Sequence, residues 1–270
     1  MARRRSQAAV GGTPVGIATT HFGPVRFDVD LGLHPMSRKF YYRTHDMDLE
    51  RIYRRHLHHG GIFVDVGAGL GYWSALAASL VGPNGQVHAF EPVPQFYASV
   101  RRLVAANPTY HIKAQNAALG SAPTVLPMTM VLPTAPAEGR IAGASLVPGF
   151  FAGDPRPKET ADVHVGAFDD YADWARIDLD RVGLIRIDSG GFEAEVLNGM
   201  TSVLLKRQRR VPILATLHTD PARHRLLDGR ALVKAMDNFA YLALEAHSLK
   251  RIRTEDLRPR ETILFIPIPG

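Results

Sequence analysis

A chain of 270 residues that is 46% apolar can bury a full α/β core as one domain with short additions. It contains no cysteine, which excludes disulfides, thiol nucleophiles and cysteine-based zinc sites. Part of its net charge of +6 comes from Arg3–Arg5 and the run Lys206–Arg210; without interleaved aromatics these read as a tail and a solvated helix end, not a nucleic-acid surface.

Residues 1–20 are small and polar and are expected to form a disordered tail. Residues 21–60 are expected to form an extension, and 61–270 the main domain. Alternation over Val25, Phe27 and Val29 predicts a small hairpin. Asp46 is placed to cap a helix carrying Leu49, Ile52, Tyr53 and Leu57, which Gly60-Gly61 stops. His56, His58 and His59 fall at that helix end, where the dipole favours histidine, and are not read as metal ligands.

The densest signal lies at residues 62–71. An apolar strand, Ile62–Val66, runs into Gly67-Ala68-Gly69-Leu70-Gly71 and then an apolar helix, Tyr72–Val81. This arrangement brings backbone close to a nucleotide. Asp65 stands near the strand end, and Glu91 follows the loop by about 20 residues, after the strand Gln86–Phe90; an acid there accepts hydrogen bonds from ribose hydroxyls. Asp65 would repel a pyrophosphate, and G-A-G-L-G departs from the dinucleotide spacing. A sulfonium- and ammonium-bearing cofactor, S-adenosylmethionine, is the better fit, ahead of an NAD(P)-dependent oxidoreductase.

Further on, Phe96, Val100, Leu103 and Val104 mark a helix that Asn107-Pro108 ends. Residues 111–119 and 124–131 read as strands. Residues 133–157, with five prolines and four glycines, read as a long irregular loop near the substrate. Asp169-Asp170 is expected to start a helix around Trp174 in preference to binding magnesium. A second strand–turn–helix unit begins at Val182, with Asp188-Ser189-Gly190-Gly191 as its turn and Val196, Leu197, Met200, Val203 and Leu204 as the helix face. Ile213–Leu217 is another buried strand, followed by a helix near 225–239 and strands near 241–244 and 262–266. Such alternation predicts a doubly wound, mostly parallel sheet, with ligands at the carboxyl strand ends. Asp65, Glu91, Asp188 and His218 all fall at such ends. His218, the histidine predicted beside the site, is the candidate general base for a hydroxyl. Asp188 could face the reacting methyl group or cap the following helix.

These landmarks together resemble the FkbM family of S-adenosylmethionine-dependent methyltransferases. The segments that carry the resemblance are FVDVGAGLGYWS at 63–74, VHAFEPVPQFYASV at 87–100, NAALG at 116–120, LIRIDSGGFEAEVLNGM at 184–200 and TILFIP at 262–267. The resemblance implies a class I methyltransferase sheet of seven mostly parallel strands with the last antiparallel, and O-methylation of a hydroxylated small molecule such as a sugar or secondary metabolite. It implies that Asp65, Gly67, Gly69 and Gly71 shape the methionine side of the pocket, that Glu91 holds the ribose, and that Asn116-Ala117 lies against the adenine. Three positions depart from the family pattern. Gly69 replaces the usual Asn, Gly190 replaces an acid two positions after Asp188, and Ala215-Thr216-Leu217 lacks a Glu often found there. A fold that binds cofactor or a partner without turnover is the rival reading from another class. No segment reaches the ~18 apolar residues of a membrane span, and the basic N-terminus lacks the apolar run of a signal peptide. The expectation is a cytoplasmic protein with no membrane or nucleic-acid partner, with a homo-oligomer left open.

Overall fold

The computed structural model describes residues 16–135, 139–205, 211–218, 229–258 and 260–268. Arg3–Arg5 and Lys206–Arg210, read above as tail and helix end, lie outside them.

The chain starts with an antiparallel hairpin, β1 (Ile17–Phe22) and β2 (Val25–Asp30). Strand β1 therefore starts within the stretch expected as a tail. Alternation turns Val25, Phe27 and Val29 inward, and Phe22 meets Tyr72 edge-on at 5.1 Å. Helices α1 (Ser37–Tyr42) and α2 (Met47–His56) follow. Asp46 precedes α2 as expected but makes no capping bond from its side chain. Its backbone is left-handed, and its carboxylate pairs with His45 Nε2 at 3.1 Å.

The first half of the main sheet comprises β3 (Ile62–Val66), α3 (Tyr72–Val81), β4 (Gln86–Phe90), α4 (Pro94–Ala106) and β5 (His111–Gln115). The strand expected at 111–119 breaks at Asn116. Its remainder, β6 (Ala118–Leu119), belongs to a separate four-stranded sheet with β7 (Thr124–Val131), β8 (Gly143–Ser145) and β9 (Lys158–Gly166), in the order β6-β9-β7-β8. The region expected to be an irregular loop thus contributes β8 and leads into β9. Strand β9 escaped prediction because its first residues, Lys158, Glu159, Thr160 and Asp162, are polar and only Val163 and Val165 are buried.

The second half comprises α5 (Phe168–Ala175), β10 (Val182–Ile187), α6 (Glu193–Asn198), α7 (Thr201–Leu205), β11 (Ile213–Leu217), α8 (Gly229–Asn238), β12 (Tyr241–Glu245) and β13 (Glu261–Pro267). The single helix read after Asp188 is two, separated at Gly199-Met200. Asp169 sits in the first turn of α5 and binds the start of α7, accepting from Ser202 N at 2.9 Å.

The seven-stranded sheet runs β12-β13-β11-β10-β3-β4-β5, and β13 is antiparallel to both neighbours. This is the class I methyltransferase order. One apolar core joins the hairpin and α2–α4 to one face; a second joins α5–α8 to the other. The strand order reverses between β3 and β10, which pair in parallel, so their carboxyl ends open a crevice at the switch point. No helix among the described residues is long and apolar enough to cross a membrane.

Candidate active site

The crevice floor begins with the turn after β3. Gly67 has φ 79°, and its N–H and that of Ala68 donate to the Phe90 carbonyl at 2.9 and 3.0 Å, fixing the turn to the end of β4. A Cβ at Gly67 would stand 2.0 Å from the Asp188 carbonyl oxygen. Gly67→Ala is therefore expected to cost more than about 4 kcal/mol, because the clash and the left-handed backbone act together. Equilibrium denaturation checks this; a change under 1 kcal/mol would show that the turn is loose. Gly69 has φ 57° and open space around its Cβ position, so Gly and the family's Asn, which also tolerates left-handed backbone, serve there alike.

Glu91 closes one side of the floor. It is 4% exposed, and its carboxylate accepts from Gly69 N at 2.6 Å and Val93 N at 2.8 Å. Burial pushes its pKa from the ordinary 4.5 up to about 7, against the opposing pull of those two N–H groups. Asn116 donates to the carbonyls of Glu91 and Pro92 at 2.9 and 3.1 Å, so it steadies the loop that carries the acid.

Asp65 does not present free charge to the crevice. It is fully buried, accepts from Ser74 Oγ at 2.6 Å and is paired with Arg186 Nη1 at 3.0 Å. Arg186 also donates to the Gly67 carbonyl at 3.0 Å and from Nη2 to Asp188 at 2.6 Å. The guanidinium fork thus ties the β3 turn to the β10 turn. Burial opposes its charge, but Asp188 and Asp65 outweigh burial and hold the cation. Asp65 therefore does not set a negative charge beside the loop as expected: its charge is matched inside the protein, and Asp188 carries the part that faces the cavity. Sequence reasoning passed over Arg186; an arginine inside the otherwise apolar run Leu184-Ile185-Arg186-Ile187 was the available signal.

Asp188 and His218 do come together, with His218 Nε2 3.7 Å from Asp188 Oδ1. Glu193, unassigned from sequence, joins them. Its Oε1 lies 3.0 Å from His218 Nδ1 and accepts from Gly191 N at 3.0 Å and Ser189 N at 3.2 Å. An ionised Glu193 only accepts, so the proton sits on His218 Nδ1, and Nε2 faces the cavity. Burial works against protonating His218, but the bonded Glu193 and nearby Asp188 prevail and raise its pKa above 6.5.

The cavity enclosed by these groups measures about 330 Å³, within the range of small-molecule sites. Gly67, Gly69, Glu91, Asp188 and His218 line it, whereas Asp65, Gly71, Asn116 and Ala117 do not; Ala118 and Leu119 take the place expected for Asn116-Ala117. The roof comes from two segments outside the sheet: His34, Phe40 and His45 of the extension, and Ala142–Ala144 and Leu146 around β8. The departure at Gly190 belongs to this roof. A Cβ there would lie 2.5 Å from the Ala144 carbonyl, and Ser145 Oγ donates to the Gly190 carbonyl at 2.6 Å. β8 is therefore packed where a side chain would stand. Among the described residues no group of three or more His, Asp or Glu is placed to hold a metal ion.

The residues fit a nucleoside-bearing cofactor. Glu91 is a buried carboxylate open to the cavity, and the Gly67-Ala68-Gly69 turn presents no side chain larger than a methyl. Residues 65–239 match the methyltransferase FkbM domain family. No curated protein matches the sequence. Among solved structures, the chain is similar to an FkbM methyltransferase from Methylobacillus flagellatus KT, with 17% identity and a TM-score of 0.46 over 80% of this chain and 50% of that one. It thus spans half the length of that protein. A precorrin-6y C5,15-methyltransferase from Geobacter metallireducens GS-15 gives 15% identity and a TM-score of 0.43 over 81% and 87% of the two chains. An rRNA methylase from Streptococcus thermophilus gives 10% and 0.44 over 81% and 93%.

Proposed function

The chain belongs to the FkbM methyltransferase family, and on that premise we propose that it moves a methyl group from S-adenosylmethionine to a hydroxyl of a small molecule. The observation that carries the proposal is one cavity with a ribose-type acid on one wall, Glu91, and a base dyad on the other, His218–Glu193. S-adenosylmethionine supplies an activated methyl on a sulfonium. Glu91 would accept hydrogen bonds from the ribose hydroxyls, the Gly67–Gly69 backbone would hold the methionine side, and Ala118 and Leu119 would give the adenine an apolar surface. Asp188 provides negative charge toward the sulfonium, positioned by Arg186. With the cofactor bound, the methyl would pass from sulfur to the acceptor oxygen as the S–C bond breaks and S-adenosylhomocysteine leaves; Nε2 of neutral His218 would take the hydroxyl proton, and Glu193 would stabilise the imidazolium formed. The roof excludes water and holds the two partners together, from which in-line displacement gains most. A small molecule is favoured over a nucleic acid because the cavity is roofed by the extension and β8. A cytoplasmic setting belongs to the same proposal, supported by a sequence without cysteine.

His218→Ala is expected to lower kcat by about 10²-fold while leaving S-adenosylhomocysteine affinity within twofold. The unprotonated ring is the active form, so wild-type kcat should rise with pH through a midpoint above 6.5, and Glu193→Gln should move that midpoint down. Transfer of labelled methyl to a panel of hydroxylated acceptors tests both. An unchanged kcat in His218→Ala would remove the base from the mechanism. Tight cofactor binding without turnover across a broad panel would favour a binding protein.

A further inference from the structure

The cavity mouth carries a cation that nothing in the mechanism uses. Arg260, just before β13, is exposed, lines the same cavity as His34 of the extension, and makes no hydrogen bond or ion pair through its guanidinium among the described residues. Of the other basic groups that line the cavity, Arg186 is held by Asp65 and Asp188, and His218 by Glu193. The charge of Arg260 reaches both His34 and His218 and disfavours their protonation, which locates it near both rings.

His34 supplies a second donor. Its Nδ1 accepts from Met36 N at 3.1 Å, so the proton of the neutral ring is on Nε2. The ring stays neutral because burial first, then His45 and Arg260, lower its pKa to about 4. A guanidinium fork beside a neutral N–H donor matches an oxyanion, whereas the hydroxyls of a neutral sugar would leave the fork unpaired. Asp188 would face the cofactor's sulfonium, which leaves the Arg260 guanidinium at the mouth for the acceptor.

We propose that the acceptor is an anionic molecule, whose carboxylate or phosphate is received at the mouth by Arg260 and the His34 Nε2–H while its hydroxyl lies over His218. This rests on the methyl-transfer reading and names its substrate class.

The test uses the full chain saturated with S-adenosylhomocysteine, with the His34 and His218 ring resonances followed by NMR. Acetate, inorganic phosphate and neutral acetamide are titrated separately; the first two distinguish a carboxylate from a phosphate acceptor. One anion should shift both rings saturably and at least tenfold more tightly than acetamide. Arg260→Ala should abolish that preference, Arg260→Lys should keep part of it, and His34→Ala should weaken it. Because Arg260 is exposed, its two variants should fold; unchanged S-adenosylhomocysteine affinity would verify this for them and for His34→Ala. Equal binding of acetamide, no saturable shift with either anion, or full anion affinity in Arg260→Ala would overturn the proposal. So would a tenfold loss of S-adenosylhomocysteine affinity in Arg260→Ala, since Arg260 would then serve the cofactor's carboxylate. Failure of wild type to bind S-adenosylhomocysteine would overturn this proposal and the methyl-transfer reading together; retained binding without anion preference would overturn this one alone.

Discussion

Arg186→Met is expected to destabilise the protein by about 3–5 kcal/mol, a large share of the ~5–15 kcal/mol that holds a domain folded. The substitution leaves Asp65, fully buried, without its cation. It also strips a donor from the Gly67 carbonyl and frees Asp188. Two turns from opposite halves of the sheet lose their tie, so cofactor affinity should fall alongside stability. Arg186→Lys keeps the charge but not the planar fork, and should fall between wild type and Arg186→Met. Adding Asp65→Asn to Arg186→Met should recover part of the loss, because an uncompensated buried carboxylate is the main cost. Urea unfolding of these four proteins and of Asp65→Asn measures this. Additive losses in the double variant would mean that the pair is not coupled.

Glu91→Ala is expected to weaken S-adenosylhomocysteine binding by at least about 10²-fold, through lost charge-assisted bonds to the ribose and two unpaired N–H groups, Gly69 and Val93. The pH dependence gives a sharper signature. In the ligand-free protein Glu91 titrates at about 7 instead of 4.5. The folded state therefore keeps a proton that the unfolded chain has released across that window, and ligand-free stability should decline as pH rises through it. Ribose hydroxyls donate to the carboxylate, so binding expels the proton. Affinity should consequently rise about tenfold from pH 6 to pH 8, and Glu91→Gln should flatten the slope. Calorimetry at the two pH values reads this directly. A slope that persists in Glu91→Gln would assign it to another group.

What the sequence disclosed, and what it hid, follows the range of the interactions. The Gly67–Gly71 turn and Glu91 were legible because a strand, a glycine turn and a helix are written in adjacent residues. The parallel character of the main sheet was legible for the same reason, since apolar strands alternated with helices, whereas its seven strands with the last antiparallel followed from the family resemblance. Arg186 was not, because its meaning depends on Asp65, 121 residues away. Glu193 stood in a recognised motif, but only the fold brings His218 to it. The roof was hidden because Phe40 and Ala144 acquire a role only once the extension and the β6–β9 sheet close over the strands. Gly190 acquires its structural setting only in the fold, where β8 is packed against the position a side chain would take.

The central claim is that one cavity holds the cofactor between Glu91 and the Asp188–His218 wall. The measurement that tests it most directly is a crystal structure of the protein with S-adenosylhomocysteine. The account predicts ribose hydroxyls within hydrogen-bond distance of the Glu91 carboxylate and the sulfur turned toward Asp188 and His218. S-adenosylhomocysteine bound outside this cavity, or bound with its ribose away from Glu91, would contradict it.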